Sequence, residues 1–512
     1  MNKSTKNKLY FLGIILLIIL LGVVRFYDLN MDSFPYDEYG TSWFDEGYIH
    51  NARNNALFGN WTLEGDLWNP MYISPVFTYM EFISFTFFGV NTFAMRFIIA
   101  FLSVISILIA GLLIMSRRFK EGIVYIILLS GNIMLIAFSR VAMIESILLF
   151  FILIIIGLIV YNKPISWIGA GFLTPFLFFS KITSLFFILA IPLSLIGYYL
   201  IYRSQKILKN LIIFVAGCIF SIILWLFWLI PNKSVWLYAN FGGYGSRIQI
   251  GITKTIMATL FSLEFSLLNQ IVLFIALISI LVIIITFLKK KQILFIDFFL
   301  IISIVLFLFQ IIFADYPLRR FVLIVPIISL IAARFICRLD KIDFSFMKSR
   351  FEINPNLFIF LFISFYLIIT FAHLGIYFSP LVSNWDNSHT TITASKEINN
   401  YIPPGSNVYG YYAVAFAAEN KIKPYYSREN NNFANSEEYI FPFFENNLIN
   451  YAILEANLSD TKTLMSKNID INNSKVYQYI QHNFKIIKEL NIKNTRDNSL
   501  NEKIYIYKRT NQ

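Results

Sequence analysis

The chain has 512 residues, of which 57% are hydrophobic and only 14% are charged. A soluble domain of this size carries charge on about a quarter of its positions, so the composition excludes an ordinary cytosolic enzyme. The formal net charge of +12 does not indicate nucleic-acid binding, because most Lys and Arg residues lie in short clusters between apolar runs. Both cysteines, Cys218 and Cys337, lie inside apolar segments, which excludes a disulfide framework in the water-exposed parts.

Apolar runs long enough to cross a bilayer occur throughout residues 1–378. The first run follows three lysines and lacks a cleavage pattern, which predicts an uncleaved helix. Basic clusters mark cytoplasmic loops, and counting the runs between them predicts about eleven transmembrane helices. These are expected at residues 9–26, 94–115, 122–138, 145–161, 166–180, 183–201, 211–230, 265–288, 292–313, 320–337 and 357–378. An odd number of spans in an integral protein of the cytoplasmic membrane puts the N-terminus inside and residues after 378 outside.

Two apolar segments are ambiguous. The runs around Pro175 and Lys181 fit either two short helices or one broken helix. The run from Ser74 to Phe88 is short and has a proline near its start, which favours an interfacial helix over a membrane span.

The composition changes at about Ser379 to Asn, Lys, Tyr, Ser and Glu. Residues 1–378 are therefore expected to form the membrane domain, and residues 379–512 a separate extracytoplasmic domain. Its sequence pattern predicts a mixed α/β fold. Helices are expected at residues 393–401, 413–419 and 474–490, and strands at residues 407–412, 451–455 and 504–507.

The loop after the first helix, residues 27–74, is far longer than a connector needs to be. It contains Asp45 and Glu46 among aromatic residues. Adjacent carboxylates at a membrane surface suit a general base beside a metal ligand or an orienting group. Taken alone, the pair is more typical of the first turn of a helix.

Further charged residues lie at predicted outer turns. Glu145 needs a partner there, and Arg140 is either that partner or a site residue. Lys181 and Arg247 suit a site or a snorkelling anchor at the membrane surface. Arg319 and Arg320 lie at the outer end of a span against the positive-inside rule, which predicts that they bind an anion such as a phosphate.

The order of the sequence motifs along the chain resembles that of the GT-C superfamily of membrane glycosyltransferases. Within this superfamily, the resemblance is to the protein O-mannosyltransferase and lipid A aminoarabinose transferase branch. The resemblance covers most of residues 1–340. It rests on Asp45-Glu46, Asn51-Ala52-Arg53, Phe58-Gly59-Asn60-Trp61, Pro75 through Tyr79 to Gly89 and Arg96, Ser139-Arg140 with Glu145, Phe179-Ser180-Lys181, and Arg319-Arg320 with Pro326. The chain departs from the family in having Glu145 where Asp is frequent. A second acid in the first loop is not clear, and Glu64 and Asp66 are its candidates.

The resemblance implies a mainly α polytopic membrane protein of GT-C type. It implies inverting transfer of a sugar, a hexosyl or pentosyl group, from a polyprenyl-phosphate donor to a hydroxyl of a lipid, glycan or protein acceptor. Asp45 would be the base or orienting carboxylate, with Glu46 and Glu145 as further catalytic acids, and Arg319 with Arg320 would bind the donor phosphate. The other implied substrate-binding residues are Tyr48, Arg53, Arg96, Arg140, Lys181 and Arg247. Some members bind a divalent metal and others need none; here Asp45 and Glu46 would be its ligands.

Two other classes of function remain as alternatives. A transporter or flippase of a lipid-linked sugar would place charged or broken-helix sites near the bilayer midplane, whereas the polar residues here gather at the outer face. A scaffold whose tail binds a partner would not depend on the acidic pair.

Overall fold

A computed structural model describes residues 21–31, 49–63, 69–237, 266–313, 318–338, 355–383, 390–410, 419–424, 437–454, 475–493 and 501–510. The chain divides into two compact units. Unit 1 comprises Met1–Tyr27, Tyr72–Val76 and Ile99–Tyr377, and unit 2 comprises Asp28–Met71, Phe77–Ile98 and Phe378–Gln512.

Helices, nearly all of them apolar, make up most of the described chain before residue 384. In chain order they are the polar helix α1 (His50–Phe58) and the apolar helices α2 (Pro75–Phe88), α3 (Thr92–Met115), α4 (Phe119–Ser130), α5 (Ile133–Phe138), α6 (Ile144–Tyr161), α7 (Pro164–Ser180), α8 (Leu185–Tyr202), α9 (Gln205–Leu237), α10 (Ser266–Lys290), α11 (Phe295–Phe313), α12 (Val325–Ile336) and α13 (Pro355–Ser383). Among the described residues, six helical segments are long and apolar enough to cross a membrane, in α3, α6, α8, α9, α10 and α13. Helices α7 and α11 and the segment Phe321–Ile336 are apolar but shorter.

The described apolar helices lie where the apolar runs predicted them, with one exception, and the span expected at residues 9–26 lies outside the described residues except for 21–26. The single span expected at residues 122–138 is wrong, because the chain breaks at Gly131 into α4 and α5. The Asn132 side chain caps α5, accepting a backbone hydrogen bond of 3.0 Å. Side chains of α13 bind the carbonyls that the break exposes: the Tyr366 hydroxyl donates to Leu128 O at 2.7 Å, and the Thr370 hydroxyl donates to Gly131 O at 3.2 Å.

The chain around Pro175 and Lys181 forms two helices. Helix α7 ends at Ser180, and a 3-10 turn, Ile182–Ser184, leads into α8. Of the two alternatives for this segment, the pair of short helices is confirmed. The run after Ser74 is also helical, as α2, while its place at the membrane interface and the total of eleven spans stay predictions.

Helices α7 and α9 cross with their backbones in contact. A Cβ atom on Gly171 would lie 2.1 Å from the carbonyl oxygen of Phe214, and one on Gly217 would lie 2.4 Å from that of Ile168. Small residues at such crossings allow close helix packing in membranes, where association depends on van der Waals contact.

Unit 2 contains a five-stranded mixed sheet formed by the tail. Its elements are α14 (Thr390–Ile398), β1 (Asn407–Gly410), β2 (Lys421–Pro424), α15 (Glu437–Asn446), β3 (Tyr451–Leu454), α16 (Lys475–Asn483), β4 (Phe484–Lys493) and β5 (Asn501–Arg509). The strand order is β2-β1-β3-β5-β4. Strand β1 pairs parallel with β2 and β3, while β5 pairs antiparallel with β3 and β4. Aromatic residues dominate the core, including Tyr409, Phe444, Tyr477 and Tyr507.

The strands expected at residues 407–412, 451–455 and 504–507 are present as β1, β3 and β5, and the helix at 393–401 as α14. The helix expected at 474–490 is wrong beyond Asn483, because β4 pairs with β5 along its whole length. A register shift between Ile486 and Lys488 interrupts the alternation of β4, which hides the strand in the sequence. The helix expected at 413–419 lies outside the described residues except for Glu419, and β2 and α15 were not predicted.

Candidate active site

A buried ion pair in unit 1 joins the start of α6 to the end of α7. Glu145 lies in the first turn of α6, and Lys181 follows the last residue of α7. The Lys181 Nζ atom is 2.7 Å from Glu145 Oε1, and the two side chains are 6% and 0% exposed. Each charge lies at the helix end that favours its sign. Because Lys181 is buried within the protein, it does not act as a snorkelling anchor.

Two buried guanidinium groups lie at the same end of unit 1. Arg140, in the turn before α6, donates from Nη1 to the carbonyl oxygens of Val24 and Arg25, at 3.1 and 3.2 Å. Arg25 is itself fully buried, and its Nε donates to Ser103 Oγ at 3.2 Å. Buried cations in an apolar bundle are costly and mark functional sites. Arg25 was missed in the sequence, although an arginine inside a predicted span is itself a signal.

A small serine-lined cavity lies between the helices near these groups. Its volume is about 10 Å³, and its polar lining consists of Ser103, Ser106, Ser139 and Ser146. This space suits a single water molecule and is too small for a sugar.

A second charged cluster lies at the other ends of the helices. Arg334 is 3.0 Å from Glu121 and 2.6 Å from Asp297, and Arg338 is 3.2 and 3.3 Å from the same two carboxylates. We call these four residues the inner ring; it joins α4, α11 and α12. Helix α6 runs between the two ends of unit 1, from Glu145 at one end to Tyr161 at the other. The rise of the helix between these two residues is about 24 Å. From the sequence, Arg338 was interpreted only as a marker of topology, and the inner ring was not predicted.

The Asn51-Ala52-Arg53 motif holds elements of unit 2 together. The Asn51 amide donates to Trp61 O at 2.8 Å and to Asn69 Oδ1 at 3.0 Å, while its oxygen accepts from Met71 N at 3.0 Å. Arg53 is fully buried and donates from Nη2 to Asn420 O at 2.8 Å. The hydrogen bonds of Asn51 therefore close the first loop, and the hydrogen bond of Arg53 connects this loop to the tail.

The Phe58-Gly59-Asn60-Trp61 motif also has a structural basis. Gly59 ends α1 with a φ of 75°, the left-handed conformation that favours glycine. The Trp61 ring then packs against Tyr79 and Phe82 of α2, each with centroids 5.0 Å apart. This motif fixes the first loop on α2.

Arg96 lies near the start of α3 and is buried. Its Nη1 donates to Leu29 O at 3.0 Å and also to Met31 O. Arg53 and Arg96 therefore both bind backbone carbonyls inside unit 2, and their roles in substrate binding stay predictions.

Several predicted site residues lie outside the described part of the chain. These are Asp45, Glu46, Tyr48 and Arg247, together with Glu64 and Asp66. Arg319 and Arg320 lie in the 3-10 segment Leu318–Ile324, of which the backbone is described at these positions. The described residues contain no group of three His, Cys, Asp or Glu side chains that could hold a metal ion, and the expected ligands Asp45 and Glu46 are not among them.

Comparison with known proteins gives a clear likeness in fold. No protein-family model and no curated protein match the sequence. Apo ArnT from Cupriavidus metallidurans matches with a TM-score of 0.63 and 12% identity, covering 99% of this chain and 98% of that chain. ArnT bound to undecaprenyl phosphate matches with a TM-score of 0.62 and 11% identity, covering 96% and 98%. The chain has the GT-C fold.

The mainly α, GT-C-like fold predicted from the sequence is thereby confirmed, and the chain is an integral membrane protein. The oligosaccharyltransferase of Archaeoglobus fulgidus, in complex with zinc and sulfate, is less similar. Its TM-score is 0.48 at 14% identity, covering 86% of this chain and 67% of that chain.

Proposed function

We propose that this GT-C protein is a glycosyltransferase that moves a sugar from a polyprenyl-phosphate carrier to a hydroxyl of a lipid, glycan or protein acceptor, with inversion, at the extracytoplasmic face. The observation that carries the proposal is the buried set of Arg25, Arg140, Glu145 and Lys181 at one end of an apolar bundle. The likeness to ArnT, which was crystallised with undecaprenyl phosphate, supports a polyprenyl-phosphate donor.

The charges at this end suit a reaction whose leaving group is a phosphate. Three buried cations there, Arg25, Arg140 and Lys181, favour the negative charge that grows on the phosphate as the sugar departs. The Glu145 carboxylate fixes the Lys181 ammonium in one position, so that little reorganisation is needed at the moment of transfer. Arg319 and Arg320 are proposed to bind the phosphate directly.

The acceptor hydroxyl must lose a proton as it attacks the anomeric carbon. We assign Asp45 to accept that proton or to orient the hydroxyl, and Glu46 to support it. Tyr48, Arg53, Arg96 and Arg247 remain proposed contacts of the substrates by resemblance alone. A divalent metal, if Asp45 and Glu46 hold one, is not needed for any step described here.

The distribution of charge favours a transferase over a carrier. In the described helices of unit 1, Asp, Glu, Lys and Arg lie near the helix ends, as Glu121, Glu145 and Asp297 do. A carrier of lipid-linked sugars is expected to place such groups near the bilayer midplane. The apolar length of α6 between its polar ends instead suits a site at one membrane surface.

The proposal is tested by transfer of labelled sugar from a panel of polyprenyl-phosphate sugars in membranes that carry the natural chain, Asp45→Ala or Glu489→Gln. Glu489 is a partly exposed acid of the tail that pairs with Lys503, and its variant is the matched control. We expect label in a protein, lipid or glycan fraction with the natural chain and the control, and none with Asp45→Ala. If no donor is consumed and labelled lipid crosses the bilayer equally with all three chains, the carrier function is supported instead.

A further inference from the structure

Two exposed cations flank one tyrosine ring at the end of the bundle that carries the inner ring. Tyr161 is the last residue of α6. The Arg117 guanidinium carbon lies 5.2 Å from its ring centroid, and the Lys163 Nζ atom lies 4.8 Å from it. Arg117 comes from the turn after α3 and Lys163 from the residue before α7, so three separate elements meet here.

The arginine is held so that its fork of donors remains at the surface. Its Nε donates to the Tyr161 carbonyl oxygen at 2.9 Å, which uses one N–H group and fixes the plane of the guanidinium. Among the described residues, none accepts a hydrogen bond from the two terminal nitrogens. A guanidinium fork presented in this way suits a phosphate, because two parallel N–H groups match two phosphate oxygens.

The charged side chains described around the two cations do not neutralise them. The nearby carboxylate Glu121 is engaged by Arg118, Arg334 and Arg338. In the described part of the chain, neither Arg117 nor Lys163 forms an ion pair with an Asp or Glu side chain. Helix α7 also begins beside Lys163, so that its positive dipole end adds to the local potential.

A simpler explanation accounts for only part of this arrangement. Cations are favoured near the C-terminus of any helix, which explains the bond from Arg117 to the last carbonyl of α6. It does not explain a second cation on the same ring, or a guanidinium fork left at the surface. The cluster also lies about 24 Å along α6 from Glu145, which is close to the thickness of a bilayer core and suits the level of lipid headgroups.

We propose that Arg117, Tyr161 and Lys163 bind the phosphate of an anionic phospholipid in the membrane leaflet opposite to the candidate active site. The two cations would contact the phosphate, and the tyrosine ring would hold both at a fixed spacing. Basic pockets between membrane helices are known binding sites for anionic headgroups. The site uses no residue assigned to catalysis, so it stands or falls independently of the transferase proposal.

The test is native mass spectrometry of the full-length protein in detergent, titrated with phosphatidylglycerol, phosphatidylcholine or inorganic phosphate. The matched control is Arg203→Gln, because Arg203 follows α8 and lies over Tyr199, at 5.9 Å, as a single stacked arginine. We expect tight binding of one phosphatidylglycerol to the natural chain and the control. The double variant Arg117→Gln/Lys163→Gln should weaken that binding about thirtyfold, since each basic group near the surface contributes roughly a factor of five.

Equal binding of phosphatidylcholine and phosphatidylglycerol would overturn the proposal, and so would unchanged binding in the double variant. Binding of inorganic phosphate that matches the lipid would assign the site to a soluble anion and would also overturn it. If the double variant does not fold, Lys163→Gln alone serves, because this exposed side chain lies outside the helices and its loss should still weaken binding several-fold.

Discussion

Replacing Lys181 by Met tests whether the buried pair with Glu145 stabilises the candidate site. Methionine keeps most of the apolar stem of lysine, is one atom shorter, and removes the ammonium with its charge and its hydrogen-bond donors. The Glu145 side chain is fully buried, and its Oε1 atom lies 2.7 Å from the Lys181 ammonium. The variant therefore removes the Lys181 ammonium from beside a carboxylate that is not exposed to solvent. Removing one partner of such a pair costs roughly 3–5 kcal/mol.

The double variant Glu145→Gln/Lys181→Met separates the pair from its surroundings. A neutral amide beside a thioether removes both charges together, and replacing both members of a buried pair is often close to neutral. We therefore expect Lys181→Met to lose about 3 kcal/mol of unfolding free energy and the double variant to recover most of that loss. Sugar transfer should be lost in both variants, because neither retains the ammonium that the proposed mechanism uses.

The assay is unfolding of the full-length protein in mixed micelles, with Lys120→Met as the matched control. Lys120 is exposed and donates to Asn356 Oδ1 at 2.9 Å, so its loss should change the unfolding free energy by no more than about 0.5 kcal/mol. A Lys181→Met variant as stable as this control would refute the stabilising role of the pair. A double variant less stable than Lys181→Met would refute the coupling between the two charges.

Three further variants test the packing and charges elsewhere. Gly171→Ala should lose about 2 kcal/mol in the same unfolding assay, because its new Cβ would overlap the backbone of α9, whereas Gly375→Ala, which has open space, should not lose stability. Arg334→Met should lose roughly 3 kcal/mol, since Asp297 would then keep only the partly exposed Arg338 as its partner and Glu121 would keep Arg338 and Arg118. In the tail, the hydrogen bond from Arg509 lowers the pKa of the Glu445 carboxyl below its ordinary value of 4.5. The contact therefore stabilises the folded tail above that pH, and this stabilisation is lost as the pH falls through the lowered pKa. Hydrogen-exchange protection of the tail, measured relative to the intrinsic exchange rate at each pH, should therefore fall in acid in the natural chain, and that fall should be smaller in Arg509→Met.

The apolar helices could be located from the sequence because bilayer thickness fixes the length of a span. The break at Gly131 could not be located in this way, since the residues on both sides are equally apolar and, apart from the Asn132 cap, the groups that stabilise it lie on α13. Tyr366 and Thr370 are more than two hundred residues away along the chain. Strand β4 was likewise missed because its pairing with β5, and not its local pattern, decides its conformation.

The candidate site shows the same dependence on distant contacts. The sequence indicated that Glu145 needs a partner, and nearness along the chain favoured Arg140. The structure places Lys181 within 2.7 Å of it instead, a residue that reaches this point only because α6 and α7 are antiparallel neighbours. The inner ring was missed because its basic residues lie at loop boundaries, where a sequence shows topology and not pairing.

These pairs also simplify the orientation of unit 1 in the membrane. Glu145 and Lys181 lie at one end of unit 1, and the inner ring and Tyr161 lie at the other. Locating one end on a side of the membrane therefore locates the other end on the opposite side. We expect the Tyr161 end to face the cytoplasm and the tail to lie outside. In a chain with Cys218 and Cys337 replaced by Ser, an impermeant maleimide should label Gln481→Cys in intact cells, whereas Lys163→Cys should react only after the membrane is opened. Ile152→Cys, buried midway along α6, should react in neither case and serves as the control. Labelling of Lys163→Cys in intact cells would place the proposed lipid site outside the cell and the candidate active site at the cytoplasmic face. The polyprenyl-phosphate donor would then have to be used on the cytoplasmic side.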